Sequence, residues 1–397
     1  MHLLILALFG VLRLPTATAY IGNTSTTKDS FVNWRTFTGH GVNLGGWLEQ
    51  ESTISRQWWT TTFQNATDEW SLCSQIGSAQ CGAILEPRFK TYIKTDTIDL
   101  LASHNVSILR IPTSYAMWIS LPGSKLYSGN QKTYLRHIAE YATTTHGMHV
   151  ILDLHSLPGG TNGLDIGEAV GHWGWWHNST AMEWSLRAVD AVLEFIDQAS
   201  LPGSYTLSPI NEPVDNRDFS TFGSPAALSE AGARWLVKYI KAVLRRVQGV
   251  DGRIPVMFQG SFKEPEYWTK FFTGDENIVL DLHHYYYPLA NATAANLPRF
   301  ICEDAKSSAG DGTFPTFVGE WSIEAGGANE LALRGRNLRA GIAAFGRFTR
   351  GSSFWNVKFQ SEEVTPGEGV KEDYWSYEEF IRQGLLEGEI RDYRSLI

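Results

Sequence analysis

Eight short apolar runs alternate with longer stretches of helical period along this chain, and a polar or aromatic residue closes almost every run. The runs fall at residues 41–44, 107–110, 149–154, 205–210, 254–259, 278–282, 316–319 and 352–355, and helical periodicity is clearest over 132–145, 181–199 and 229–247. Such alternation is the pattern of parallel βα units, because a parallel strand needs a crossover helix to return the chain. Strands buried on both faces lack polar alternation, and His149-Val-Ile-Leu-Asp-Leu and Asn277-Ile-Val-Leu-Asp-Leu read that way. Eight such units predict a single (β/α)₈ TIM barrel with its active site at the C-terminal ends of the strands. That fold gathers Asn43, Arg110, His155, Asn211, Glu212, Gln259, His283, Glu320 and Trp355 at one mouth, although they span some 300 positions. An open doubly wound sheet would carry a Gly-rich phosphate turn after its first strand, and Asn43-Leu-Gly-Gly-Trp47 lacks that spacing.

No internal repeat or low-complexity linker divides the 397 residues, so residues 20–397 read as one catalytic domain. Residues 1–19 hold an apolar stretch followed by Ala17-Thr18-Ala19, the small-x-small pattern of a cleaved signal peptide. Secretion to the cell exterior or wall follows as the expected fate. Glycosylation triplets at Asn23, Asn65, Asn105, Asn178 and Asn291 agree with it. Three cysteines allow one intramolecular bridge in an oxidising compartment, with Cys73–Cys81 the favoured pair and Cys302 left over. A net charge of −9 argues against a nucleic acid partner, since such a surface has nothing with which to displace phosphate counterions. No later stretch is apolar enough to span a membrane, and a monomer is expected.

Cleavage of an acetal needs one carboxylic acid to protonate the leaving oxygen and a carboxylate to meet the oxocarbenium-like carbon. Glu212, in Asn211-Glu-Pro213, and Glu320, in Gly319-Glu-Trp-Ser322, each close a predicted strand and supply that pair. Asn211 offers an amide to a sugar hydroxyl, Arg110 a partner that keeps Glu320 ionised, and Tyr285 a phenol to the same carboxylate, while Glu212 is expected in drier surroundings. His155 is placed to contact the reacting sugar, and Trp355 to stack on it. Trp173, Trp175 and Trp176 lie in a Gly-rich insertion after the third strand and are expected to build a substrate wall. The first strand lacks the His-x-His of metal-dependent barrel hydrolases, so neither a metal nor another cofactor is expected.

These segments also occur in the order found in the family 5 glycoside hydrolases. Gly41-Val-Asn-Leu-Gly-Gly-Trp47, Arg110-Ile-Pro, Asp153-Leu-His-Ser-Leu-Pro-Gly, Asn162-Gly, Asn211-Glu-Pro, His283-His-Tyr285, Gly319-Glu-Trp-Ser322 and Phe354-Trp355 cover most of the chain. The chain thereby resembles the fungal exo-β-1,3-glucanases of that family. The resemblance implies a retaining β-glycosidase acting on β-glucan in cell-wall metabolism, with Glu212 as acid/base and Glu320 as nucleophile. It implies that Arg110, His155, Asn211, His283, Tyr285 and Trp355 line the subsite of the cleaved sugar, and that Glu51 and Asp165 hold hydroxyls of a terminal glucose. Where the yeast-type enzymes grip the next sugar with two phenylalanines, this chain has Leu164 and Pro288, and their Asn-Gly-x-Asn-Arg stretch is not recognisable between Ala325 and Arg339. β-1,6-glucanase, another β-glucosidase, a transglycosylase and a non-catalytic carbohydrate-binding protein are the competing readings.

Overall fold

The computed structural model describes residues 30–63 and 65–387; the expected signal peptide and Asn23 lie outside them. Eight parallel strands close into a barrel in sequence order. They are β1 (Gly39–Asn43), β2 (Ile108–Ser114), β3 (His149–Ser156), β4 (Tyr205–Ser208), β5 (Val256–Gln259), β6 (Ile278–Tyr286), β7 (Thr316–Ala325) and β8 (Gly351–Phe354). β8 pairs back onto β1, with Gly41 opposite Ser353. Among the helices, α1 (Arg56–Thr62), α2 (Glu69–Ile76) and α3 (Ser78–Thr91) are an excursion before the first crossover. The crossovers themselves are α4 (Thr95–Ser103), α5 (Gln131–His146), α6 (Ser179–Asp197), α7 (Glu230–Val250), α8 (Leu297–Ser308) and α9 (Arg334–Phe348), and α10 (Glu372–Trp375) and α11 (Tyr377–Arg382) follow β8. Between β5 and β6 only a 3₁₀ segment, Pro265–Lys270, makes the crossing.

Side chains alternate between the helix-facing and the axial side of each strand, and the axial positions change character with height. At the bottom, Ile108, Ile151, Met257, Val279 and Phe317 pack around Trp34 as a plug, and the Trp34 indole donates to Thr206 Oγ1 at 2.9 Å. Two residues further along the strands, Arg110, Asp153, Ser208, Gln259 and Asp281 form a buried polar layer. Above it stand His155, His283 and the rim. The helix-facing positions, such as Val150, Leu152 and Leu154, join the main core instead. Strands β2, β3, β6 and β7 run past their predicted ends, because the polar residues that close an apolar run still pair through their backbones. Register shifts accompany this at Thr113/Ser114, Leu282/His283 and Val318/Trp321, and such bulges re-aim side chains at a barrel rim.

Cys73 and Cys81 form a disulfide with their Cα atoms 5.2 Å apart, as the sequence reading favoured, tying α2 to α3. Cys302 is free and buried. Asn65, Asn105, Asn178 and Asn291 are all exposed, though the Asn178 side chain also caps α6 by accepting from the Thr180 and Ala181 amides. No helix among the described residues is long and apolar enough to cross a membrane.

Candidate active site

Two carboxyl groups face each other across the barrel mouth. Glu320 lies within β7, directly opposite His283 of β6 in the strand register. Glu212 follows β4 on irregular backbone with φ +38°, a region that non-glycine residues rarely occupy and that clusters at functional sites. One oxygen of Glu212, one of Glu320 and a ring nitrogen of His283 all lie within 4.8 Å of one another.

The two carboxyls are almost equally buried, at 5% and 4% exposure, so dryness does not separate them as the sequence reading expected. Their partners do. Arg110 Nη1 donates to Glu320 Oε1 at 2.7 Å, and the Tyr285 phenol donates to Oε2 at 2.7 Å. Burial pushes the Glu320 carboxyl up, but the charges of His283 and Arg110 and the phenol of Tyr285 outweigh it and hold the group below its ordinary value. Glu212 Oε1 accepts from His283 Nδ1 at 2.7 Å. Burial alone would lower the His283 imidazole, yet Glu320 and Asp281 push it up to about 10. The Glu212, His283 and Glu320 set is spaced for an ion, but its His283 Nδ1 is already engaged with Glu212, so an ion there would have to displace that proton.

Arg110 is the hub of the polar layer. It donates to Asn43 Oδ1 at 3.0 Å and to Asn211 Oδ1 at 2.8 Å, and stands 3.2 Å from Asp153 Oδ2 and 3.7 Å from Asp281 Oδ2. Asp153 in turn accepts from His155 Nδ1 at 2.7 Å and from the Ser208 hydroxyl at 2.8 Å, and Asp281 accepts from the Gly319 amide at 2.8 Å. His155 stacks on Trp355, with ring centroids 5.7 Å apart. On the β1 side, Glu51 and Asp165 complete the gathering. Burial, then the negative charges of Asp165, Glu320, Glu49 and Glu212, push the Glu51 carboxyl well up, and burial likewise raises Asp165. The ten residues given catalytic or sugar-binding roles from the sequence thus gather at one end of the barrel.

No family model matches the sequence. The solved rutinosidase from Aspergillus niger is 52% identical, covers 90% of this chain and all of its own, and superimposes with a TM-score of 0.89. The chain belongs to glycoside hydrolase family 5. A probable glucan 1,3-β-glucosidase A from Aspergillus fumigatus is 31% identical over 288 residues, 71% of this chain. The family 5 chain spans 64% of the length of that curated relative. A family 5 lichenase from Caldicellulosiruptor sp. F32, 14% identical with a TM-score of 0.52 over 87% of this chain and 92% of its own, shares the fold.

The family 5 mouth departs from expectation in its walls. Trp175 is core: it is fully buried, packs edge-on to Trp176 and Tyr239, and gives its indole N–H to Ser185. Trp176 is half-buried and anchored by the Thr161 carbonyl, and Trp173, also half-buried, is set against Gly163 and Phe219. Where two phenylalanines were missing from the sequence, Leu164 is partly buried and Pro288 exposed, and the neighbouring Tyr287 presents a ring that is 49% exposed. Sequence reasoning also passed over Asp153, Asp281, Glu49 and Trp375. The two aspartates did carry a signal, an acid within each of the two most apolar strands. Glu49 is buried beside Ser156 of β3, where burial pushes its carboxyl well up, and Trp375 comes from a helix beyond the last barrel strand.

Proposed function

We propose that this chain is a secreted retaining β-glycosidase with Glu320 as nucleophile and Glu212 as acid/base. The observation that carries this reading is the spacing of the two carboxyls, whose oxygens approach within 4.8 Å. Retaining enzymes hold their carboxyls about 5–5.5 Å apart, whereas inverting ones leave about 6.5–9.5 Å for a water. Glu320, ionised beside Arg110 and His283, attacks the anomeric carbon as Glu212 gives its proton to the departing oxygen. The C–O bond to the leaving group breaks and an ester to Glu320 forms. Glu212, now a base, takes a proton from water, whose oxygen displaces Glu320 with a second inversion, so configuration is kept overall. Charge-assisted bonds from Arg110 and Tyr285 make the carboxylate available without a proton to lose.

For substrate we favour a β-rutinoside over β-1,3-glucan. The rutinosidase from A. niger is alike along its entire length at 52% identity, against 31% over part of the named glucan 1,3-β-glucosidase. The absence of the phenylalanine pair at Leu164 and Pro288 weighs in the same direction. β-1,3-Glucan hydrolysis is the second reading, on the strength of Glu51 and Asp165. Incubation with rutin, laminarin, and the 4-nitrophenyl β-glucoside and β-rutinoside, with products separated by chromatography, tests both. Turnover of laminarin but not rutin would reverse the order. Glu320→Ala should lower turnover at least about 10³-fold, roughly 4 kcal/mol of barrier, and near-normal activity would end the assignment.

A further inference from the structure

The phenol that reaches Glu320 is itself held in place. Tyr285 stacks on Trp375, with centroids 5.3 Å apart and planes 24° from parallel. The Trp375 indole N–H donates to Glu324 Oε2. Glu324 is a buried carboxyl four residues beyond Glu320 on β7. Trp375 belongs to α10, outside the eight βα units, and its backbone is pinned: its carbonyl accepts from the Asn356 amide at 2.8 Å and its amide donates to Lys371 O at 3.1 Å. Tyr287 and Phe359 close around the same indole at 5.7 and 5.4 Å. One strand therefore carries both the acceptor of the phenol and the anchor of the ring behind it.

We propose that Glu324 and Trp375 are positioning residues that hold the Tyr285 hydroxyl on Glu320. A tyrosine O–H leaves its partner when the ring swings, and an indole stacked on one face and tied at its N–H restricts that swing. The groups facing Glu320 are Arg110, His155, Glu212, His283, Glu51, Tyr285 and Tyr287. Lys371, Glu363, Tyr287 and Tyr374 are the charged or titratable groups around Glu324 and Trp375. None of these is altered by the variants below except Tyr285.

The inference rests on Glu320 as nucleophile, and its readout is the acid limb of the pH profile of kcat/KM, which reports ionisation of the free enzyme. The substrate is whichever 4-nitrophenyl glycoside of the panel is turned over faster. Tyr285→Phe should raise that limb by roughly one pH unit. Trp375→Ala and Glu324→Ala should raise it in the same direction, Glu324→Gln, which keeps an acceptor for the indole, should leave it in place, and the Tyr285→Phe/Trp375→Ala pair should move it no further than Tyr285→Phe alone. An unmoved limb in Tyr285→Phe would overturn the positioning role, whereas near-normal turnover in Glu320→Ala would overturn the reading of Glu320 on which it rests. A limb moved by Tyr285→Phe but not by Trp375→Ala or Glu324→Ala, or moved additively in the pair, would overturn the positioning role alone. Should Trp375→Ala fail to fold, the Glu324→Ala and Glu324→Gln pair decides.

Discussion

Replacing His283 with asparagine removes the cation that faces both carboxyls while keeping an amide donor near Glu212. His283 Nδ1 lies 3.5 Å from Glu320 Oε2, and unit charges at that distance attract by roughly 5 kcal/mol at an effective dielectric near 20. Arg110 and Tyr285 remain on Glu320, and entering water recovers part of the loss, so about 2 kcal/mol is a reasonable net effect on its ionisation. Since a pH unit corresponds to about 1.4 kcal/mol, the acid limb of kcat/KM should rise by roughly one to two units. Rates with a 4-nitrophenyl glycoside from pH 3 to 9 measure it, and circular dichroism and Tm check that the variant is folded. The loss should be largest at low pH and shrink toward neutrality. A folded His283→Asn enzyme whose acid limb stays at its wild-type position would refute the claim that the imidazolium helps keep Glu320 charged.

Stability should itself depend on pH. Burial, joined by the charge of Asp68, pushes the Glu69 carboxyl from 4.5 to about 7, and His283 rises from 6.5 to about 10. Both folded values exceed the unfolded ones, so each contribution is full at low pH, that of Glu69 fading through about 7 and that of His283 through about 10. Asp153 and Glu320 are held low, and their contribution fades as pH falls into the ordinary carboxylate range. His40, His149 and His284 are pushed by burial from 6.5 to about 4, about 3 and about 4, so their contribution is present above about 6.5 and fades as pH falls. Tm should therefore fall above neutrality as His283 loses its proton, and a Tm still climbing from pH 7 to 9 would contradict these signs. Removing the disulfide by Cys73→Ser/Cys81→Ser opens a loop of sequence separation 8 and should cost about 2–3 kcal/mol by chain entropy, read by denaturant unfolding. Gly45→Ala places a Cβ 2.8 Å from the Trp355 ring, and displacing that indole should lower kcat/KM roughly tenfold, about 1.4 kcal/mol; an unchanged value would mean that Trp355 does not touch the reacting sugar.

The barrel was legible because eight buried parallel strands leave eight apolar runs, and the site because each run stops at a residue with chemistry to offer. Glu212 and Glu320 could be paired in advance since a closed barrel has one mouth. Strand limits were not legible: His283 and Glu320 sit inside strands, because polar side chains on the axial face pair by backbone as apolar ones do. The walls were less legible still. Nothing in Trp173-Gly-Trp-Trp176 distinguishes an indole that faces the mouth from one that packs on α7, which depends on how the insertion folds back. Trp375 could not have been found from the run pattern, as α10 belongs to no βα unit.

The α2–α3 hairpin has a consequence for redesign. Arg88 of α3 donates to Gln50 Oε1, Gly46 O and Ser55 Oγ. At the head of α2, Glu69 receives the Gln50 and Tyr127 amides, and Asp68 receives that of Val170. The stretch bearing Glu49 and Glu51 is thus moored to a cross-linked appendage as well as, through Ile54 and Ser55, to Gln360 beyond β8. Reshaping residues 46–91 offers a way to admit a differently sized sugar while the acid pair and the hydrogen-bonded staves beneath it stay as they are.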